Sequence, residues 1–164
     1  MKKLTLLILF LTIKISLVAQ ENSKTSTFFF IRHAEKILNI KNPDLTEKGK
    51  QRAIKWANIF QYYKINQVLS TDYKRTIQTA TPIAKSNNLK IKKYHPFKFN
   101  VEEFIENSKG QNIVFVGHSN TIPDLVNSFI QKKKYKQIDD LTYGNLYIVT
   151  IKDKNRSDII LNIK

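Results

Sequence analysis

The sequence predicts an α/β fold: a three-layer α/β/α sandwich around a mostly parallel central sheet. Short apolar runs, typical of buried strands, alternate along the chain with longer segments whose apolar residues recur every three or four positions, as on amphipathic helices. The length of 164 residues suits one domain with a single core. The chain is 41% hydrophobic and 25% charged, which are ordinary proportions for a globular protein.

Residues 1–19 are predicted to be a secretory signal peptide. A basic start precedes an apolar run that is too short to span a membrane, and Ala19 is a small residue at a suitable cleavage point. A lysine interrupts the apolar run, so cleavage after Ala19, cleavage after Gln20 and retention as an anchor all stay open. Residues 20–26 form a polar leader and residues 27–164 the folded domain. We therefore expect an exported protein, periplasmic or secreted, without stable membrane insertion once the signal is cleaved.

The first predicted strand covers residues 27–32 and is a run of aromatic and apolar residues that ends at Arg32 and His33. Residues 34–45 then form a loop. Thr46 is suited to cap a helix that continues to about residue 62, because apolar residues recur along one face of this segment.

Residues 68–71 are predicted to be a second short strand, followed closely by a helix with Thr71 or Asp72 as its cap. Pro82 is expected to kink this helix or end it early. The alternating pattern of residues 89–94 predicts an edge strand. The remaining elements are predicted as helix, buried strand, helix and two closing strands, over residues 99–108, 113–117, 121–131, 145–151 and 158–163.

The net charge of +15 comes mainly from lysines spread along the chain, since only four of the 28 basic residues are arginines. Specific nucleic-acid recognition favours arginine, and no nucleic-acid-binding motif is present, so we expect no specific nucleic-acid partner. A general attraction for anionic substrates remains. The absence of cysteine excludes disulfides, thiolate metal sites and a cysteine nucleophile.

Rare residue types follow three of the predicted strands: Arg32-His33, Arg75 and His118-Ser119. If the strands are parallel, these residues meet at one edge of the sheet, beside helix N-termini that favour anions. The arginine fork matches phosphate oxygens, and a neutral imidazole can attack phosphorus. No carboxylate cluster indicates a metal. The third histidine, His95, precedes a proline in a loop and is interpreted as a surface residue.

Four motifs in order resemble those of the histidine phosphatase superfamily, also called phosphoglycerate mutase-like, over residues 28 to about 125. They are Arg32-His33-Ala34-Glu35, Asp44-Leu45-Thr46-Glu47-Lys48-Gly49, Ser70-Thr71-x-x-x-Arg75-Thr76-x-x-Thr79-Ala80 and Gly117-His118-Ser119.

This resemblance implies a phosphoglycerate mutase-like fold and a phosphatase of the small, compact type. His33 would become a phosphohistidine, and Arg32, Arg75 and His118 would bind the phosphoryl oxygens and stabilise the transition state. Asn39 and Ser119 would add further phosphate contacts. No cofactor and no metal are implied, and the expected partner is a small phosphorylated substrate or a phosphoprotein.

The sequence departs from the family in its general acid. Many members place a glutamate or aspartate between the second arginine and the second histidine. Here that segment offers Glu102, Glu103 and Glu106, which look like the exposed face of a helix, so the acid is not assigned. A missing acid suits substrates with good leaving groups, such as acyl phosphates or phosphoramidates.

The leading hypothesis is thus an exported, metal-independent phosphatase that hydrolyses phosphate esters or related phosphoryl compounds. The alternative is a non-catalytic phosphate-binding or anion-binding domain of the same fold, and a third possibility is adhesion to an anionic surface through lysine. The sequence leaves the substrate and the oligomeric state undetermined.

Overall fold

A computed structural model describes residues 24–164, so the predicted signal peptide and most of the polar leader lie outside the described residues. The described chain contains six strands and four α-helices. In chain order they are β1 (Ser26–Arg32), α1 (Glu47–Phe60), β2 (Gln67–Ser70), α2 (Lys74–Ser86), β3 (Ile91–Lys93), α3 (Val101–Glu106), β4 (Asn112–Gly117), α4 (Thr121–Ile130), β5 (Asn145–Lys152) and β6 (Asn155–Asn162). A 3₁₀ turn at Pro96–Lys98 follows β3.

All six strands form one sheet in the order β3-β2-β4-β1-β5-β6. The first four strands of this order pair in parallel, whereas β5 is antiparallel to β1 and β6 is antiparallel to β5. The predicted α/β fold with a mostly parallel sheet is therefore confirmed. The predicted edge strand in residues 89–94 is also confirmed, because β3 lies at one edge of the sheet.

The central strand β1 is buried on both faces of the sheet, which explains its unbroken apolar run. Phe28 and Phe30 pack against α4 through Phe129, at ring-centroid distances of 4.8 and 5.0 Å. On the opposite face, Phe29 packs against Phe60 of α1 at 5.3 Å. Successive side chains of a strand point to opposite faces, so β1 joins the two helical layers of the core.

Helix α1 begins as predicted, with the Thr46 side chain accepting a hydrogen bond from the Gly49 N–H. For α2, the predicted N-cap is wrong and so is an early stop at Pro82, whereas a kink at Pro82 stays a prediction. Its N-cap is Tyr73, without a side-chain hydrogen bond, because the Thr71 hydroxyl is engaged elsewhere. Pro82 does not end the helix, which continues to Ser86. Buried Ile83 and Ala84 pack this last turn against the sheet, which offsets the loss of one backbone hydrogen bond.

The two closing strands form a hairpin with a shorter turn than predicted. Only Asp153 and Lys154 separate β5 from β6, and Asp153 has a φ of 55°. Positive φ is typical of two-residue hairpin turns and is tolerated by aspartate.

Among the helices that the structure describes, none has the length and apolar character needed to cross a membrane.

Candidate active site

The carboxyl ends of β1, β2 and β4 bring the predicted residues to one edge of the sheet. Arg32 pairs with Gly117 in the parallel register, and the His33 N–H donates to the Gly117 carbonyl at 2.9 Å. A cavity of about 740 Å³ lies at this edge. Its lining residues are Arg32, His33, Lys36, Thr71, Asp72, Tyr73, Arg75, Lys93, Tyr94, His95, Pro96, Phe97, His118, Ser119, Asn120, Thr121 and Asp140.

His33 is held in one tautomer by the backbone that follows it. Its Nδ1 lies 2.8 Å from the Ala34 carbonyl, which can only accept, so Nδ1 carries the proton and Nε2 carries the lone pair. Burial lowers the pKa of His33 to about 3, and the Arg32 and Arg75 charges add to this effect against the hydrogen bond to Ala34. The ring is therefore neutral at physiological pH, with an unprotonated nitrogen available for attack.

His118 is held by hydrogen bonds at both ring nitrogens. The Arg75 guanidinium donates from Nη2 to Nδ1 at 3.1 Å, so Nε2 carries the proton and donates to the Thr71 hydroxyl at 2.9 Å. Burial lowers the pKa of His118 to about 4, and the Arg75 and Arg32 charges contribute. The two histidine rings are 5.6 Å apart between centroids, so both face the same small volume.

Arg32 is almost fully buried and is fixed by the segment before β5. Its Nη1 donates to the carbonyls of Asp139, Asp140 and Thr142 at 2.8, 3.1 and 3.0 Å, and its Nη2 lies 3.3 Å from the Asp140 carboxylate. The Tyr143 ring lies 4.4 Å from the centre of the guanidinium. These contacts leave Nε without a partner.

Arg75 is anchored less firmly than Arg32. Its guanidinium lies 4.7 Å from the centroid of the Tyr73 ring and contacts His118, while its Nε has no partner. Burial lowers the pKa of Arg75, and the Arg32 charge lowers it further. Two cations at this edge without full compensation favour the binding of an anion.

Unsatisfied polar groups concentrate at the cavity. Among the described residues, four buried side-chain atoms lack a hydrogen-bond partner: Arg32 Nε, Arg75 Nε, Tyr94 Oη and Trp56 Nε1. The first three belong to residues that line the cavity. Buried polar groups are normally paired, so this concentration indicates a site whose donors are completed by a ligand.

The backbone after His33 is held by contacts with two helices. The Ala34 N–H donates to the Thr79 hydroxyl of α2 at 3.0 Å. Glu35 forms a two-pronged ion pair with Arg52 of α1, and this pairing outweighs the burial that by itself raises the pKa of Glu35, so the pKa is lowered. Arg52, one of the four arginines, is thus assigned to supporting the loop.

Of the other residues that the sequence analysis singled out, some line the cavity and some do not. Ser119 lines the cavity, as does His95, which the sequence indicated as an ordinary surface residue. His95 is nevertheless exposed, so it lies at the mouth of the cavity. Asn39 is exposed in the loop after β1, with a φ of 60°, and does not line the cavity.

The three glutamates considered for the general acid lie on α3, outside the cavity lining. Glu102 forms an ion pair with Arg156 on β6 at 2.7 Å. The carboxylates that do line the cavity are Asp72 and Asp140, which were not predicted. Each is exposed and forms an ion pair, Asp72 with Lys93 at 2.9 Å and Asp140 with Arg32 at 3.3 Å.

Sequence reasoning also missed the residues that surround the predicted ones. Thr71, taken as a helix cap, orients His118, and the segment that holds Arg32 carried no motif. Tyr73 and Phe97 line the cavity with exposed rings.

Within residues 24–164, no three side chains of the types that bind metals come together as a possible metal site.

Comparison with known proteins agrees with this arrangement. The sequence model of the histidine phosphatase superfamily (branch 1) matches residues 28–98, which contain Arg32, His33 and Arg75. No curated protein matches the chain.

Several solved structures share the fold. A phosphoserine phosphatase mutant from Entamoeba histolytica, crystallised with phosphoserine, is 12% identical with a TM-score of 0.63, covering 81% of this chain and 94% of its own. A protein assigned as phosphohistidine phosphatase SixA from Agrobacterium tumefaciens is 17% identical with a TM-score of 0.61, covering 84% and 98%. A protein assigned as an alpha-ribazole-5'-P phosphatase from Escherichia coli is 17% identical with a TM-score of 0.66, covering 84% and 96%.

Proposed function

We propose that this chain, whose residues 28–98 match the sequence model of the histidine phosphatase superfamily and whose fold is shared with solved structures assigned as phosphatases, is an exported, metal-independent phosphatase acting through a phosphohistidine on His33. The basic and apolar start of the sequence supports export. The observation that carries the catalytic proposal is the Nδ1 hydrogen bond of His33, which leaves Nε2 unprotonated in a cavity lined by two arginines.

In the first step, His33 Nε2 attacks the phosphorus of the substrate, the bond from phosphorus to the leaving-group oxygen breaks, and the leaving group takes its proton from water. In the second step, water attacks the phosphorus, the bond from phosphorus to Nε2 breaks, and inorganic phosphate leaves as the water proton passes to solvent. The ring becomes positively charged when Nε2 is phosphorylated while Nδ1 keeps its proton, and hydrolysis of the phosphorus–nitrogen bond returns it to the neutral state that burial favours.

Arg32 and Arg75 supply the positive charge that the transferring phosphoryl group requires. Both carry an Nε–H donor without a partner, and phosphoryl oxygens are suited to accept from these groups. His118 has both ring nitrogens engaged and holds Arg75 in place, so its own contact with the phosphoryl oxygens stays a prediction. Phosphate contacts by Ser119 and Asn39 also stay predictions, and Asn39 does not line the cavity.

The chemistry of the cavity favours leaving groups that depart without a general acid. Both histidines have lowered pKa values, so neither is suited to donate a proton at neutral pH, and no other group of the cavity is assigned as the general acid. Acyl phosphates, phosphoramidates and aryl phosphates have leaving groups of this kind, which supports a small phosphorylated substrate or a phosphoprotein as partner.

The proposal is tested by assaying residues 20–164 with an aryl phosphate in the presence of excess chelator. We expect steady hydrolysis and a phosphorylated protein after rapid quenching. His33→Ala is expected to lower kcat/KM at least about a thousandfold, since it removes the nucleophile. Tyr62→Ala changes an exposed side chain outside the cavity lining, and as the control it is expected to change kcat/KM less than about fivefold. Equal hydrolysis by His33→Ala and the unchanged protein would exclude His33 as the nucleophile.

The absence of an assigned general acid also supports a second candidate, a non-catalytic domain that binds phosphate. That function predicts salt-sensitive binding of inorganic phosphate without hydrolysis and without a phosphorylated protein. The same assay therefore separates the two functions.

A further inference from the structure

The cavity is much larger than a phosphoryl group requires. Its volume of about 740 Å³ falls within the range of roughly 300–1,000 Å³ that is typical of sites for drug-sized ligands. The two histidines and two arginines line only part of it. The rest of the lining includes Tyr73 and residues 94–97 of the segment between β3 and α3, so the leaving group of the substrate also has room to bind.

Two aromatic rings in this lining are exposed. Tyr73 is 46% exposed, and its ring meets the His118 ring edge-on at 5.0 Å and lies 4.7 Å from the Arg75 guanidinium. It therefore stands directly beside the proposed phosphoryl site. Phe97, in the 3₁₀ turn, is 76% exposed, and its ring lies 6.0 Å from that of His95.

Phe97 has no evident role in the core. Its neighbour Phe99 packs against Tyr94 and Phe115 at 5.6 Å in each case, and belongs to the residues packed on the larger core cluster. Phe97 is not among the residues of the described core clusters. A single exposed apolar residue requires no explanation, but two exposed rings that line one cavity provide a surface on which a planar group can stack.

We propose that the outer part of this cavity binds a planar aromatic ring in the leaving group of the substrate, with Phe97 and Tyr73 as its contacts. The inference rests on the proposed phosphatase function for the position of the phosphoryl group, and it narrows the substrate to phosphorylated compounds that carry such a ring. Leaving groups attached through an aromatic hydroxyl also depart without a general acid, which agrees with a cavity in which no general acid is assigned.

The test compares the binding of 1-naphthyl phosphate and methyl phosphate to the His33→Ala protein by calorimetry, because this variant removes turnover. Both ligands are phosphate monoesters and differ in the ring. Because of ring stacking, we expect 1-naphthyl phosphate to bind roughly two- to tenfold more tightly than methyl phosphate. Adding Phe97→Ala is expected to remove most of this difference and to leave methyl phosphate binding unchanged. Phe97 is exposed, so the substitution does not disturb the core.

Two further variants make the result specific. Tyr62→Ala removes a ring that is 83% exposed and outside the cavity lining, and is expected to change neither affinity. Phe97→Leu keeps apolar bulk but no ring, and is expected to bind 1-naphthyl phosphate less tightly than the parent. Equal affinity for the two ligands, an equal loss for both in Phe97→Ala, or full affinity in Phe97→Leu would overturn the inference.

Hydrolysis of the same two ligands by the unchanged protein separates this inference from the proposed function. Turnover without a ring-dependent difference in affinity overturns the aromatic site alone. A ring-dependent affinity in a protein that hydrolyses neither ligand supports the aromatic site and overturns the phosphatase function.

Discussion

Two hydroxyl groups, one just after β2 and one on α2, determine how the second histidine is held. The Thr71 hydroxyl accepts from His118 Nε2 and lies 3.1 Å from the Thr76 hydroxyl, which donates to the Thr71 carbonyl at 2.8 Å. These buried groups fix the tautomer of His118, and so let its Nδ1 accept from Arg75. The Thr71 hydroxyl therefore positions, through His118, the arginine that is proposed to bind the phosphoryl group.

At the residue scale, we predict that Thr71→Val lowers kcat/KM about tenfold. Valine has a similar shape but leaves the His118 Nε2–H buried without an acceptor, at a cost of about 1–3 kcal/mol. Thr71→Ser keeps the hydroxyl and is expected to restore most of the activity. If both variants lose activity equally, the hydroxyl has no part in positioning His118.

At the scale of secondary-structure elements, the start of α1 clamps the loop that follows β1. The Glu35 carbonyl accepts from the Thr46 N–H at 2.9 Å and also contacts the Thr46 hydroxyl. Gly49 lies against the same carbonyl, where an added Cβ would stand 2.1 Å from the oxygen. The family motif that ends at Gly49 thus lets a helix approach the backbone two residues after His33.

We predict that Gly49→Ala destabilises the protein by about 1–3 kcal/mol, because the clash is with backbone and cannot be relieved by a side-chain rotation. Urea unfolding measures this change. Lys50→Ala, at the next position of the same helix and exposed, is the control and is expected to change stability by less than about 0.5 kcal/mol. A Gly49→Ala protein as stable as this control would contradict the close approach.

At the scale of the whole molecule, the fold buries two neutral histidines between charged arginines. Burial lowers the pKa of His33 to about 3 and that of His118 to about 4, from the ordinary 6.5. Between these values and 6.5 the unfolded chain binds protons that the folded protein does not. The histidine contribution to stability is therefore fully present above pH 6.5 and declines as the pH falls towards about 4 and then 3.

We accordingly predict that the free energy of unfolding falls between pH 6.5 and pH 5, as measured by urea titration at several pH values. The carboxyl of Glu35 has its pKa lowered from 4.5, so its contribution is lost only at lower pH. A variant with both His33→Asn and His118→Asn is expected to lose most of the slope in this window. If the free energy of unfolding of this variant changes with pH as steeply as that of the unchanged protein, groups other than His33 and His118 cause the pH dependence.

Much of this protein was predictable from local pattern. The run of phenylalanines in β1, the cap at Thr46 and the placement of Arg32 and His33 at a strand end follow from side-chain periodicity and backbone preferences, which act over a few residues. The motifs that contain Arg75 and His118 were also recognisable, because each extends over only a few consecutive residues. The sequence by itself thus determined the fold class and the set of candidate phosphate-binding residues.

Only the tertiary structure decided how these residues are held and what surrounds them. The carbonyls that fix Arg32 come from residues 139–142, more than a hundred positions away, and carry no side-chain signal. Pro82 stays inside a helix because packing on the sheet outweighs its local preference. Phe97 lines the cavity because β3 pairs in parallel with β2, which places the segment after β3 at the same edge of the sheet. Such long-range contacts depend on packing, which local patterns do not encode.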